Sequence, residues 1–124
     1  MRMKSASPQP VLAPVDRIFR AFSDRTRLRI LHLLKDGELC VCDLVSVLRV
    51  PQPKVSRHLA YLRRAGLVLA RKDRLWAYYR LAPAGNTFHR KLLDCLECCF
   101  GDVSGLKADQ RRLRAIACRD RCCG

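Results

Sequence analysis

Apolar residues recur at helical spacing through most of this chain and change to a strand-like pattern only once. Val15, Ile18, Phe19 and Phe22 fall at i, i+3, i+4 and i+7, which predicts a helix after Pro14. Ser23-Asp24 can cap a second helix over 24–35, with Leu28, Leu31 and Leu34 inward and Ile30 and Leu33 widening the stripe. Asp36-Gly37 ends it, since glycine tolerates the left-handed conformation that closes helices. A third helix is expected over 38–48, using Leu44, Val45 and Leu48, and Val50-Pro51 breaks it because a residue before proline avoids helical geometry. A fourth starts within 51–53 and runs to Arg64, with Val55, Leu59 and Leu62 inward and Ala65-Gly66 as its stop. Leu67-Val68-Leu69 and Trp76-Ala77-Tyr78-Tyr79-Arg80-Leu81 then predict a hairpin joined by 71–75. A long helix over 84–100 carries Phe88, Leu92, Leu93, Leu96 and Cys99 on its apolar side, and the basic segment 106–119 predicts a last short helix.

Helix, helix, tight turn at Arg49–Pro51, basic helix, hairpin is the order of a winged helix-turn-helix. The expected fold is mainly α with a small β-hairpin; 124 residues build one modest core, and a dimer could bury more apolar surface. The expected divisions are a flexible arm at 1–13, the winged helix-turn-helix domain with terminal dimerisation helices at 14–100, and a basic, Cys-rich tail at 101–124.

Charge adds a partner. Lys and Arg number 25 against 11 acidic residues, a formal charge of +14, which favours a polyanion such as double-stranded DNA. The outer side of the fourth helix offers Gln52, Lys54, Ser56, Arg57, Tyr61, Arg63 and Arg64. Gln and Arg can pair with base edges in the major groove, Lys and Ser suit phosphates, and the first residues of a recognition helix reach deepest. His58 has two readings, a DNA contact or a half-buried packing residue. Arg71, Lys72, Asp73 and Arg74 form the hairpin tip, placed to lie against the backbone or minor groove, and equally an ordinary charged turn. Trp76, Tyr78 and Tyr79 read as packing residues. No run of 18 apolar residues exists, so no membrane partner is expected; Met1 to Pro10 lacks the apolar core of a secretory signal, and the expected location is cytoplasmic.

Five stretches together resemble the ArsR/SmtB family: Ser23 to Leu31 (SDRTRLRIL), Glu38 to Leu44 (ELCVCDL), Gln52 to Leu59 (QPKVSRHL), Arg63 to Val68 (RRAGLV) and Trp76 to Leu81 (WAYYRL). The likeness spans about residues 14–100, and Cys40-Val41-Cys42-Asp43 is most similar to the arsenical-resistance repressors. The resemblance implies a homodimer that represses a resistance operon and leaves operator DNA when arsenite or antimonite, As(III) or Sb(III), binds its thiols. It also implies a third cysteine three residues after the pair, where this chain has Val45, and a wing glycine where it has Arg74.

Eight cysteines stand in three groups: Cys40 and Cys42; Cys95, Cys98 and Cys99; Cys118, Cys122 and Cys123. Without a secretory signal such clusters point to metal binding or redox chemistry rather than a disulfide scaffold. Arsenous acid is neutral in water, so capture requires thiols that replace its oxygens, and soft thiolates favour thiophilic ions. In a regular helix Cys40 and Cys42 project about 200° apart. Binding is therefore expected to unwind or bend the start of the third helix. The plain alternative is two small buried hydrophobes. Cys95, Cys98 and Cys99 share one helical face, so they can supply the third ligand, form a separate site, or pack in a dimer interface. Cys118, Cys122 and Cys123 rank below them as donors. Rival readings are a cadmium-, lead- or zinc-responsive repressor of the same fold and a zinc-stabilised DNA-binding protein without inducer sensing. The last is weakened because only Cys95–Cys98 has the CxxC spacing. A redox enzyme is disfavoured, since no βαβ pattern surrounds that motif. No nucleophile–base constellation stands out, and no enzyme is expected.

Overall fold

The computed structural model describes residues 9–100 and 102–117, and side chains over 15–116 with 101 left out. The first helix, α1 (Gln9–Phe22), starts before Pro14, so residues 9–13 of the expected arm are helical; the rest of that arm lies outside the described residues. Asp24 caps α2 (Arg25–Leu33), its carboxylate accepting the Arg27 N–H at 3.0 Å. A 3₁₀ turn, η1 (Leu34–Asp36), extends α2, and Gly37 closes it at φ 144°, a backbone that side chains resist.

The expected third helix over 38–48 divides in two. Leu39–Cys40 is a short strand, β1, and α3 (Val41–Leu48) begins only afterwards, with Cys40 as its extended N-cap at φ −74°, ψ 148°. The tertiary cause is pairing with the hairpin: Leu39 faces Tyr79 and Cys40 faces Tyr78. Arg49 ends α3 in the left-handed region at φ 57°, and Pro51 caps α4 (Gln52–Arg64). The hairpin is longer than the expected runs. Its strands β2 (Val68–Asp73) and β3 (Trp76–Leu81) take in Arg71, Lys72 and Asp73, which leaves Arg74, at φ 60°, and Leu75 between them. The sheet runs β1-β3-β2. Asn86 caps α5 (Thr87–Cys98), accepting from the His89 N–H at 2.8 Å.

The core forms where these elements meet. Ile30, Leu31, Leu33, Leu34, Leu44, Val47, Val55, Leu59, Leu62, Leu67, Val68 and Leu96 are buried, as the periodicity predicts for most of them. Leu28, Phe88, Leu92 and Leu93 are half-buried against it. Cys99, expected on the apolar side of the long helix, is exposed. Phe19 of α1 rests on Phe88 of α5 with ring centroids 5.0 Å apart, yet keeps 54% of its surface open.

The last helix, α6 (Ser104–Ala117), is part of this body rather than of a tail. Leu106 and Asp109 are buried. Asp109 accepts two hydrogen bonds of 2.8 Å from the Arg29 guanidinium and one of 2.6 Å from Arg112. The same arginines reach α3: Arg112 Nε donates to the Val47 carbonyl at 2.8 Å, and Arg29 Nη2 to the Leu48 carbonyl at 3.2 Å.

Leu59 joins α4 to this core with no exposed surface. Leu59→Ala removes that packing and leaves a cavity, an expected cost of about 2–5 kcal/mol. A denaturant titration should give a lower midpoint at unchanged slope.

Candidate sulfur pair and nucleic-acid interface

A regular helix would point Cys40 and Cys42 apart; instead their sulfurs lie 3.0 Å from each other. The cause is the β1–α3 junction. Cys40 keeps strand geometry, so the chain turns between it and Cys42, and the 3.6-residue rotation that would separate them never applies. The expected unwinding of α3 is therefore not needed to bring the sulfurs together. Cys40 is buried and Cys42 half-buried, and Asp43 beside them is buried in the first turn of α3.

The other cysteines lie elsewhere. Cys95 is half-buried, and Cys98 and Cys99 are exposed at the end of α5. The Cys99 side chain hydrogen-bonds Cys95 and, with burial and the nearby Cys98, pushes the Cys95 thiol up. Among the described residues no three His, Cys, Asp or Glu side chains gather to hold a metal ion. Cys118, Cys122 and Cys123 lie outside the described residues.

On α4 the inward Val55, Leu59 and Leu62 leave Gln52, Lys54, Ser56, Arg57, Arg63 and Arg64 exposed on the opposite side. Two of the candidate DNA residues on α4 are engaged within the molecule. The His58 ring is 16% exposed, 3.8 Å from the Asp24 carboxylate and 3.4 Å from Arg27, which matches its packing reading. Tyr61 is half-buried beneath the Arg27 guanidinium, 4.0 Å from its ring centroid. Arg27 is the residue that sequence reading missed. It also donates to the carbonyls of Ala21 and Arg20, and so ties the end of α1 to α4. A third basic residue inside the otherwise amphipathic run Arg25 to Arg29 was the available signal.

The wing differs from a free charged tip. Arg71 donates two hydrogen bonds, of 2.7 and 2.8 Å, to Glu38 and lies 4.5 Å over the Tyr78 ring. Those bonds hold the Glu38 carboxyl below its usual range. Arg71 thus braces the wing against the residue before β1, with Glu38 two residues from Cys40, and Arg71, Lys72 and Arg74 are all exposed. Tyr78 and Tyr79 are half-buried, but Trp76 keeps 39% of its surface and Leu75 94% at the tip.

Residues 24–69 match the family described as "Bacterial regulatory protein, arsR family". The chain is 40% identical over 117 residues to the arsenical resistance operon repressor of Escherichia coli, covering 91% of this chain and 92% of that protein. It is 38% identical over 68 residues to a homolog of the cadmium resistance regulatory protein CadC of Staphylococcus aureus, covering 54% and 56% of the two chains. Among solved structures it resembles the homodimeric winged helix-turn-helix DNA-binding domain of a possible ArsR-family transcriptional regulator from Mycobacterium bovis. The TM-score is 0.67 at 28% identity, over 80% of this chain and 89% of that one.

The three histidines, His32, His58 and His89, are all held below their ordinary pKa, with burial the largest cause in each. Nearby cations (Lys35 at His32; Arg27, Lys54 and Arg57 at His58; Arg90 at His89) act the same way. The unfolded chain takes up these protons near pH 6.5, and the folded chain only at lower pH. Their contribution is therefore complete above about pH 6.5 and lost as pH falls below it. Thermal melts should show a midpoint that drops between about pH 7.5 and 5.5; a flat or rising midpoint would contradict this.

Proposed function

The chain belongs to the arsR family of bacterial regulatory proteins, and from that premise we propose that it is a repressor released from operator DNA when trivalent arsenic or antimony binds Cys40 and Cys42. Family membership makes it a DNA-binding transcriptional regulator and not an enzyme. The observation that carries the metalloid reading is the 3.0 Å approach of the two sulfurs at the N-cap of α3. Thiols bind trivalent arsenic by replacing its oxygens, chemistry in which a hard oxygen site or a basic patch has no part. The arsenical repressor relative supports the same ligand.

Cys40 belongs to the sheet and Cys42 to the helix that braces α4, so sulfur chemistry bridges two parts of the reading head. Any change in the Cys40–Cys42 spacing strains β1 against α3. A close-packed interior passes that strain on, because Leu44, Val47 and Leu48 pack in the same core as Val55, Leu59 and Leu62. Glu38 and Arg71 carry it toward the wing. The third thiol we assign to Cys95, Cys98 or Cys99, ahead of Cys118, Cys122 and Cys123. On this reading Cys95–Cys99 must approach the pair by a movement or across a dimer. The protein acts as a homodimer through α1 and α5, where Phe19, packed on Phe88, keeps 54% of its surface open. Gln52, Lys54, Ser56 and Arg57 read bases, with Arg63, Lys72 and Arg74 on phosphates. A cadmium-responsive repressor is the second reading, supported by the shorter match to the CadC homolog.

Gel-shift titration with and without arsenite, antimonite and cadmium separates these readings. Cys42→Ser should bind operator like the wild type yet stay bound in arsenite; normal release would remove the pair as the sensor. Arg57→Ala should weaken operator binding by about 1–3 kcal/mol while non-specific DNA is little affected. Equal loss on both DNAs would make Arg57 a phosphate contact.

A further inference from the structure

The C-terminal helix α6 lies outside the reading head, yet its buried acid controls the other end of α3. A helix leaves its last four carbonyls without intrahelical partners. In α3 the Val45 carbonyl accepts from the Arg49 N–H at 3.0 Å. The next available donors come from other elements: Arg112 Nε serves Val47 and Arg29 Nη2 serves Leu48. Both guanidiniums are oriented by Asp109, which has no exposed surface and accepts from each at 2.6–2.8 Å. Two cations at a helix C-terminus also match its dipole.

The helix-to-helix turn begins directly after Leu48. Arg49 takes φ 57°, and Pro51 caps α4 through its carbonyl, which accepts from Lys54 and Val55 at 3.0 and 3.1 Å. Only Arg49, Val50 and Pro51 separate the clamped carbonyls from Gln52, so the place where α3 ends sets where α4 begins. A charged-residue clamp at this point constrains direction as well as stability, because the planar guanidinium forks accept one geometry.

We propose that Asp109 is a positioning residue for DNA recognition. Through Arg29 and Arg112 it fixes the exit of α3, and hence the angle at which α4 presents Gln52, Lys54, Ser56 and Arg57. None of Asp109, Arg29 and Arg112 needs to touch DNA. The inference rests on the repressor reading above and adds α6 to the machinery of specificity.

The test compares binding of the full-length protein to operator and to scrambled DNA across a salt series. Circular dichroism confirms an equal folded fraction. The wild type is measured first: if it does not discriminate, the repressor reading falls and takes this inference with it. With discrimination established, Asp109→Asn should lower the operator-to-scrambled ratio about tenfold, the worth of one misplaced bidentate base contact. Affinity for scrambled DNA and its salt slope should stay near wild type, since the phosphate-binding cations remain. Asp109→Asn strips a buried anion from two arginines and can unfold the protein. Arg112→Gln therefore serves as the second variant; it keeps the Arg29–Asp109 pair and removes the Val47 contact. A folded Arg112→Gln protein with a reduced ratio supports the assignment. An unchanged ratio in either folded variant overturns it, as does a parallel loss on both DNAs.

Discussion

The helix α3 has eight residues, two turns, too few to hold a position by its own hydrogen bonds. Its place is set by what grips its ends and by the side chains beneath it. At the N-terminus Cys40 is locked in a strand pair with Tyr78. At the C-terminus two guanidiniums close on the Val47 and Leu48 carbonyls. Between them Leu44, Val47 and Leu48 are buried in the core shared with α4. On the proposed reading, the angle at which α4 meets DNA depends on this short element, and so does the reach of any sulfur chemistry at its N-terminus.

The placement of charge follows the same division. Exposed cations cover the outer side of α4, while Arg27, Arg29 and Arg112 are engaged within the fold with Tyr61, Asp109 and the α3 carbonyls, and Arg71 pairs with Glu38 at the surface. A formal charge of +14 therefore overstates what is free to meet phosphate. Arginine suits the inner posts because its fork can satisfy a carboxylate and a carbonyl at once, as Arg29 and Arg112 do. The Glu38–Arg71 pair ties the wing to the segment that carries the first sulfur, since Glu38, Leu39 and Cys40 are consecutive.

Much of the fold was legible because its signals were local. The spacing of Val55, Leu59 and Leu62, the Asp24 cap, and Gly37 and Gly66 at positive φ each act within a few residues. The start of α3 was not legible. Leu39 and Cys40 suit a helix as well as a strand, and the choice was made by Tyr78 and Tyr79, far along the chain. That one error reversed the expected geometry of the sulfur pair. The role of α6 was hidden for a like reason: a single aspartate in a basic segment looks like a solvated residue until its partner on α2 arrives. The open face of α4 was readable from periodicity, whereas the internal use of His58 and Tyr61 and the pairing of Arg71 depended on contacts with α2, its cap and Glu38.

The central claim is that thiol binding at the β1–α3 junction is transmitted along α3 to the DNA-reading helix. Amide hydrogen exchange of the full-length protein, with and without stoichiometric arsenite, tests it most directly. Transmission along α3 predicts altered protection over residues 39–55, spanning β1, α3 and the first turn of α4. A change confined to residues 95–99, with α3 and the turn before Gln52 exchanging as before, would contradict it.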